Sequence, residues 1–246
     1  MTLEKYIDEI VLFLKNYKEQ HPFVKGYVLG VSGGVDSSLA AVLVKKAVGV
    51  ENMMALLMPI DSNVKDLNDG IELCKTMGVP FEVVDATKTF YSFKESIEAV
   101  SGDLDLSTLG NLKARMRMSI LYAYAQKHGY LVVGTDNADE RYTGYFTKYG
   151  DGAADILPIA HLLKHEVVQA SKILGIPAVL AERVPTASLY EGQTDENEMG
   201  VTYKDLDNYL LGKEVSDTAK ARIERLHSTS EHKRIPIPTP DEFKRD

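Results

Sequence analysis

The chain has 246 residues with a formal net charge of −8, a balance that argues against a surface built to neutralise a nucleic-acid backbone. Its 44% hydrophobic content is enough for one sizeable core, and no linker, composition shift or repeat divides it, so a single domain over residues 1–246 is expected. No run approaches the ~18 uninterrupted apolar residues of a membrane span, the first residues do not resemble a signal peptide, and a lone Cys74 offers no disulfide framework. A soluble, cytoplasmic protein is expected.

Thr2 to Gln20 carries Leu3, Ile7, Ile10, Val11 and Leu14 at helical spacing. Tyr27 to Val31 is a short apolar run, and after a glycine-containing turn over Ser32 to Asp36 a helix is predicted from Ser37. Met53 to Met58 reads as a second buried strand. A helix capped by Asp61 or Ser62 then runs to about Met77 and ends at Gly78-Val79-Pro80. Cys74 shares one face of it with Leu67 and Ile71, which predicts a buried thiol. Phe81 to Val84 is a third strand, Thr87 to Val100 a helix, Leu109 to His128 a long helix, and Tyr130 to Gly134 a fourth strand. Short apolar strands alternating with amphipathic helices specify an α/β fold, a doubly wound parallel sheet with helices on both faces. Ligands of such sheets sit beyond the carboxyl ends of the strands, so the segments after Val31, Met58, Val84 and Gly134 are those to read for chemistry. Farther on, Glu191 to Asn197 reads as a mobile loop, Asp217 to His227 as helix, and Ile235 to Pro240 as too proline-rich for helix or central strand.

Gly30-Val31-Ser32-Gly33-Gly34-Val35-Asp36-Ser37-Ser38 is the most informative stretch. Adjacent glycines allow a tight turn with uncovered N–H groups, and the following helix aims its positive end into the same space. A Walker loop would need GxxxxGK[ST], and no lysine stands there; a dinucleotide fingerprint would need GxGxxG, and the glycine spacing fails. The segment Ser32-Gly33-Gly34-Val35-Asp36-Ser37 instead matches the SGGxDS loop of the ATP-pyrophosphatases.

Gly110-Asn111-Leu112-Lys113-Ala114-Arg115-Met116-Arg117-Met118 resembles the GNxxARxRM helix of the NAD synthetases. So do Gly134 to Glu140, Gly144 to Gly152 leading to Asp155, Pro158-Ile159 with Lys164, Pro185-Thr186-Ala187, Asp195-Glu196 and Glu231-His232-Lys233-Arg234, in the same order. The resemblance runs from about residue 5 to 241. It implies an adenine nucleotide alpha-hydrolase-like, Rossmann-like fold and an ammonia-dependent ligase. Such an enzyme adenylates the nicotinate carboxylate of deamido-NAD with ATP, releases pyrophosphate, and forms the amide. It further implies that Gly30, Val31, Ser32, Gly33, Gly34, Val35, Asp36 and Ser37 bind ATP with Thr135, Lys164 and Thr186. Asp36 and Lys164 are the implied catalytic residues, and Asp36 and Glu140 the implied Mg²⁺ ligands. Arg115, Lys148, Asp155, His232 and Lys233 are assigned by the same resemblance to deamido-NAD, and a homodimer is implied.

The residues suit these roles. Asn111 and Arg115 are i, i+4 neighbours on one helix face, beside a core stripe of Ala114, Met118 and Leu121; Lys113 and Arg117 point elsewhere, as either a solvated basic face or a functional one. His161 and His165 form an HxxxH pair, but Leu162 stands where a zinc-protease helix carries glutamate, and no metal is expected there. The chain has no length to spare for a glutamine amidase domain, so free ammonia is the expected nitrogen donor. A tRNA-modifying relative would need a basic surface and paired cysteines, and a passive nucleotide-binding regulator would not need both Asp36 and Glu140. The loop at Glu191 to Asn197 is a candidate lid over bound substrate.

Overall fold

In the computed structural model, residues 1–181 and 194–245 are described. Helix α1 (Leu3–Gln20), capped by Thr2, buries Ile7, Ile10 and Leu14. Strand β1 (Gly26–Gly30) leads into α2 (Val35–Val48), then β2 (Met53–Leu57), α3 (Val64–Met77), β3 (Phe81–Val83), α4 (Thr87–Ser101), α5 (Leu106–His128) and β4 (Tyr130–Val132). The strands form one parallel sheet in the order β3-β2-β1-β4. Beyond β4 an isolated parallel bridge joins Val133 to Ile156.

Successive side chains of a strand point to opposite faces. Tyr27, Leu29 and Val31 accordingly pack with α1 and α2 in the main core, while Val28 joins Leu56, Val132 and Ala125 of α5 on the other face. Helix α2 is buried nearly all round, from Leu39 to Val44, because it lies between the sheet, α1 and a later helix, α7 (Lys164–Ile173). Cys74 is fully buried, and desolvation pushes its thiol up to about 11, as its helical stripe predicted. The Tyr27 hydroxyl, inside the core, donates to the Leu14 carbonyl at 2.8 Å.

The chain steps outward from β1 to β2 to β3 and then crosses back to place β4 on the other side of β1. The loops after β1 and β4 therefore part at a topological switch point, where an open α/β sheet takes its ligand. Three predicted boundaries shift for local reasons. Helix α2 begins at Val35 rather than Ser37, with Gly34 as its extended N-cap. Helix α3 is capped by Asn63, whose side chain accepts from Lys65 N, not by Asp61 or Ser62. Helix α5 starts three residues before the predicted Leu109, because Asp105 accepts from Thr108 N.

The turn between β1 and α2 is pressed against α3. Gly33 has φ +83°, and a Cβ there would lie 2.9 Å from the Asp66 carbonyl oxygen and 3.2 Å from the Gly70 nitrogen. A Cβ on Gly70, in turn, would meet Leu57 Cδ2 at 2.9 Å, so that side chain would have to shift. Gly33→Ala is expected to destabilise the fold by about 1–3 kcal/mol through backbone strain and this contact, read as a lower urea midpoint with an unchanged m-value.

Candidate active site

At the carboxyl ends of β1, β2 and β4 lies a cavity of about 550 Å³. Gly30, Val31, Ser32, Gly34, Val35, Asp36 and Ser37 line one side, and Gly134, Thr135, Asp136, Glu140 and Lys164 another. Gly33 is absent from the lining because it faces α3. The Ser37 hydroxyl accepts from Ser32 N at 3.2 Å and donates to the Gly34 carbonyl at 3.1 Å, and Ser38 donates to the same carbonyl at 2.7 Å. These serines brace the loop from within, which keeps its glycine amides facing a ligand.

The centre of the site is a buried ammonium. Lys164, at the first turn of α7, places Nζ 2.6 Å from Asp36 Oδ2 and 3.4 Å from Glu140 Oε1. Asn137 donates to the other Asp36 oxygen at 2.8 Å, and as N-cap of α6 (Ala138–Thr143) it forms a capping box with Glu140. Lys164 N donates to Asp139 Oδ2 at 2.7 Å, which locks the starts of α6 and α7 together. Its ammonium also lies 4.7 Å from the centre of the Tyr203 ring. Tyr203 donates to Asp195 Oδ2 at 3.0 Å and approaches Glu140 Oε1 at 3.4 Å, and Tyr145 bonds Asp195 and Glu198.

Burial alone would lower the Lys164 ammonium, but the Asp36 and Glu140 carboxylates outweigh it and hold it above its ordinary value. The Glu140 carboxyl is raised, first by desolvation and then by the Asp36 charge, and Lys164 only partly offsets this. Asp136 is also raised, by burial and by Asp151 and Glu140. The cluster holds more carboxylate than cation. Among the described residues no three His, Cys, Asp or Glu side chains form a metal cage. Two carboxylates converging on one cation nonetheless suit Mg²⁺, which is usually held by one or two carboxylates together with substrate phosphates.

The residues assigned to the dinucleotide separate into two groups. Lys233 lines the cavity and donates to the Gly144 and Phe146 carbonyls at 2.7 Å each. Arg115, Lys148 and His232 lie outside the lining and are strung together: Arg115 Nε donates to the Lys148 carbonyl at 3.4 Å, and Lys148 Nζ to the His232 carbonyl at 2.6 Å. Asp155 accepts from Val132 N at 2.8 Å and from the Tyr122 hydroxyl at 3.4 Å, fastening the segment after the glycine-rich turn to β4. Asn111 faces the same region as Arg115 and accepts from the Thr147 hydroxyl at 2.6 Å. Thr186 lies outside the described residues.

Lys113 and Arg117 do not form a solvated basic face. Lys113 is buried and pairs with Asp61 at 3.8 Å. Arg117 lines the cavity, donating to the Met58 carbonyl at 3.0 Å and to Ser62 Oγ at 3.3 Å. The expected loop over Glu191 to Asn197 is also corrected in part. Asp195 and Asn197 belong to a helix, α8 (Asp195–Met199), capped by Thr194, with Asp195 buried and its carboxylate accepting from Tyr203; Glu191 to Gln193 lie outside the described residues. His165 bonds Asp207 at 2.8 Å. Tyr203, Asn137 and Asp136 also belong to the site. Asp136 and Asn137 stand in the Gly134–Glu140 motif, whereas no local signal marks Tyr203.

A parallel α/β sheet with a glycine loop at its switch point, a lysine between two carboxylates and an adjoining cavity defines a nucleotide-dependent α/β enzyme. Residues 6–237 match the sequence model of the NAD synthase family, and the chain belongs to that family, whose members are C–N ligases that make NAD. It is 45% identical to the NH(3)-dependent NAD(+) synthetase of Mesoplasma florum over 100% of both chains. Among solved structures it superposes on an NMN synthetase from Francisella tularensis with TM-score 0.92 at 40% identity, covering 98% and 100% of the two chains. The NH3-dependent NAD synthetase of Campylobacter jejuni gives TM-score 0.79 at 30% identity, again over 98% and 100%.

The raised Glu140 carboxyl has a stability consequence. Between its ordinary 4.5 and about 8 the folded chain keeps a proton that the unfolded chain has lost, so Glu140 reduces stability progressively as pH rises through that window. Glu140→Gln removes the titration. In thermal denaturation without divalent cations, the variant is expected to gain on the parent chain as pH increases from 5 to 8.

Proposed function

We propose that the chain is an ammonia-dependent synthetase that adenylates the nicotinate carboxylate of deamido-NAD with ATP and then amidates it. The observation that carries this reading is Lys164 held between Asp36 and Glu140 at the mouth of the phosphate loop. A carboxylate resists ammonia because it is anionic and has no good leaving group. Its oxygen attacks the α-phosphorus, the bond to the β-phosphate bridge breaks, and pyrophosphate departs. The loop amides at 33–37 and the N-terminus of α2 receive the developing charge, with Lys164 beside them. When bound, Mg²⁺ supplies charge neutralisation on the departing phosphates; Asp36 and Glu140 are the residues that would hold it. Thr135 and Thr186 complete the ATP side, and Arg115, Lys148, Asp155, His232 and Lys233 are assigned to the dinucleotide. Most of the acceleration is positioning and electrostatics.

Free ammonia is the assigned nitrogen donor. Cys74 is buried in the core and its thiol is raised, which removes it as an amidase nucleophile. A homodimer is also assigned, with α5 contributing partly exposed apolar surface. Sedimentation is expected to give twice the 27.3 kDa chain mass, and a monomer would refute it.

A second reading concerns substrate length. The similarity to the Francisella NMN synthetase, at TM-score 0.92 against 0.79 for the Campylobacter NAD synthetase, favours a mononucleotide carboxylate as an alternative acceptor. The purified protein is to be supplied with ATP, Mg²⁺, ammonium and either the dinucleotide or the mononucleotide acid. Equal yields of pyrophosphate and NAD⁺, with a higher kcat/KM for the dinucleotide, are expected. Preference for the mononucleotide would select the second reading, and pyrophosphate without either amide would displace ammonia as the donor.

A further inference from the structure

Asp36 and Glu140 each commit one carboxylate oxygen to Asn137. Its side-chain amide donates to Asp36 Oδ1 at 2.8 Å, and its backbone N–H donates to Glu140 Oε2 at 3.1 Å. The other two oxygens, Asp36 Oδ2 and Glu140 Oε1, are those that Lys164 Nζ holds at 2.6 and 3.4 Å. A metal ion bound by both carboxylates in this arrangement has the same two oxygens to take. Two cations on one pair of oxygens repel each other strongly in a buried site. Lys164 also has a second surface to rest on. Its Nζ lies 4.7 Å from the centre of the ring of Tyr203, the first residue of α9 (Tyr203–Leu210). The Tyr203 hydroxyl donates to Asp195 Oδ2 at 3.0 Å, which fixes that ring. A lysine ammonium is a point charge on a flexible stem, so it can turn across an aromatic face without losing the attraction of the ring.

Resting on the synthetase reading and its Mg²⁺ assignment above, we infer that Lys164 and the divalent cation exchange at one place. The Lys164 ammonium neutralises Asp36 and Glu140 until the metal takes Asp36 Oδ2 and Glu140 Oε1, and it then turns to the nucleotide phosphates. The exchange leaves the two carboxylates with a cation before and after, as groups so deeply buried require. Coupling of this kind is reciprocal. Phosphates that draw the ammonium away release the carboxylates to the metal, and the metal in turn releases the ammonium to the phosphates. Metal alone, with no phosphate to receive the ammonium, binds weakly. Lys164 thereby makes metal binding conditional on a polyphosphate, a task separate from its contact with the phosphates.

The test is Lys164→Met, which keeps an unbranched stem and removes the charge, in the full chain with Mn²⁺ as the probe and no nucleotide. Bound Mn²⁺ is read from the loss of the electron paramagnetic resonance signal of the free ion. The variant is expected to bind Mn²⁺ about tenfold or more tightly than the parent, and adding Glu140→Gln should abolish the gain. An unchanged or weaker Mn²⁺ affinity in Lys164→Met, or a gain that survives Glu140→Gln, would overturn the inference. The parent chain supplies a second arm that stands even if the variant does not fold. It is crystallised with Mn²⁺ and a non-hydrolysable ATP analogue, and the metal is located by anomalous scattering. The expected structure has Mn²⁺ on Asp36 and Glu140, with Lys164 Nζ out of hydrogen-bond range of Asp36 Oδ2 and against a phosphate oxygen. Mn²⁺ on those carboxylates with the Lys164–Asp36 bond intact, or Mn²⁺ away from both, overturns the exchange. The synthetase reading is judged separately, by pyrophosphate release from ATP and the deamidated substrate in the parent chain with Mg²⁺. Failure there sinks that reading whatever the Mn²⁺ titration gives, and a titration against the exchange leaves that reading intact.

Discussion

The site depends on one ammonium group. Lys164 Nζ draws together Asp36 from the start of α2 and Glu140 from α6, segments that the chain separates by about a hundred residues. Burying charge is expensive, and a buried ion pair contributes little net stability compared with an apolar packing of the same volume. Its value here is positional. Removing Lys164 would leave two neighbouring carboxyl groups without their shared cation, so the phosphate loop, the turn after β4 and the start of α7 keep a single relative arrangement. Tyr203 and Asp195 extend this arrangement into the C-terminal cluster around Met199, Val201 and Leu206.

The surrounding electrostatics resolve an apparent conflict. A chain of net charge −8 is an unpromising receptor for polyanions, yet Lys164, Lys233 and Arg117 all line the cavity. Each is held by specific acceptors: Lys164 by carboxylates, Lys233 and Arg117 by backbone carbonyls. Fixed cations of this kind act at short range, where their partners and the low local dielectric count for more than total charge. The acidic excess remains close by, in Glu140, Asp136 and Asp195.

The sheet was legible because each strand is a short apolar run closed by a turn and followed by an amphipathic helix, and parallel pairing follows from that alternation. The phosphate loop was legible because glycine spacing is a local property that separates three designs letter by letter. Helix α5 shows where such reasoning stops. Its periodicity put Asn111 and Arg115 on one face correctly, but what lies opposite each face is set by segments far away in the chain. Arg117 thus meets the carbonyl at Met58 in the cavity wall while Arg115 meets Lys148 outside it. Polarity misled at Asp195, where a run of charged residues suggested solvent and the structure has a capped helix with a buried carboxylate. Tyr203 has no local signature at all, since its role comes entirely from the carboxylates that surround its hydroxyl.

The contact between Gly33 and Gly70 shows how far the demands of a ligand loop reach. Gly70 lies in the interior of α3, where glycine is disfavoured against alanine by about 1 kcal/mol, and it is not among the residues lining the cavity. A Cβ there would press on Leu57 Cδ2 at 2.9 Å and touch the Gly33 nitrogen at 3.6 Å. A substitution there would act on nucleotide affinity through the backbone of the loop, with no side chain near the nucleotide having changed. In a mutational survey such a position would look like a binding residue, and a search for neighbours of the ligand would overlook it.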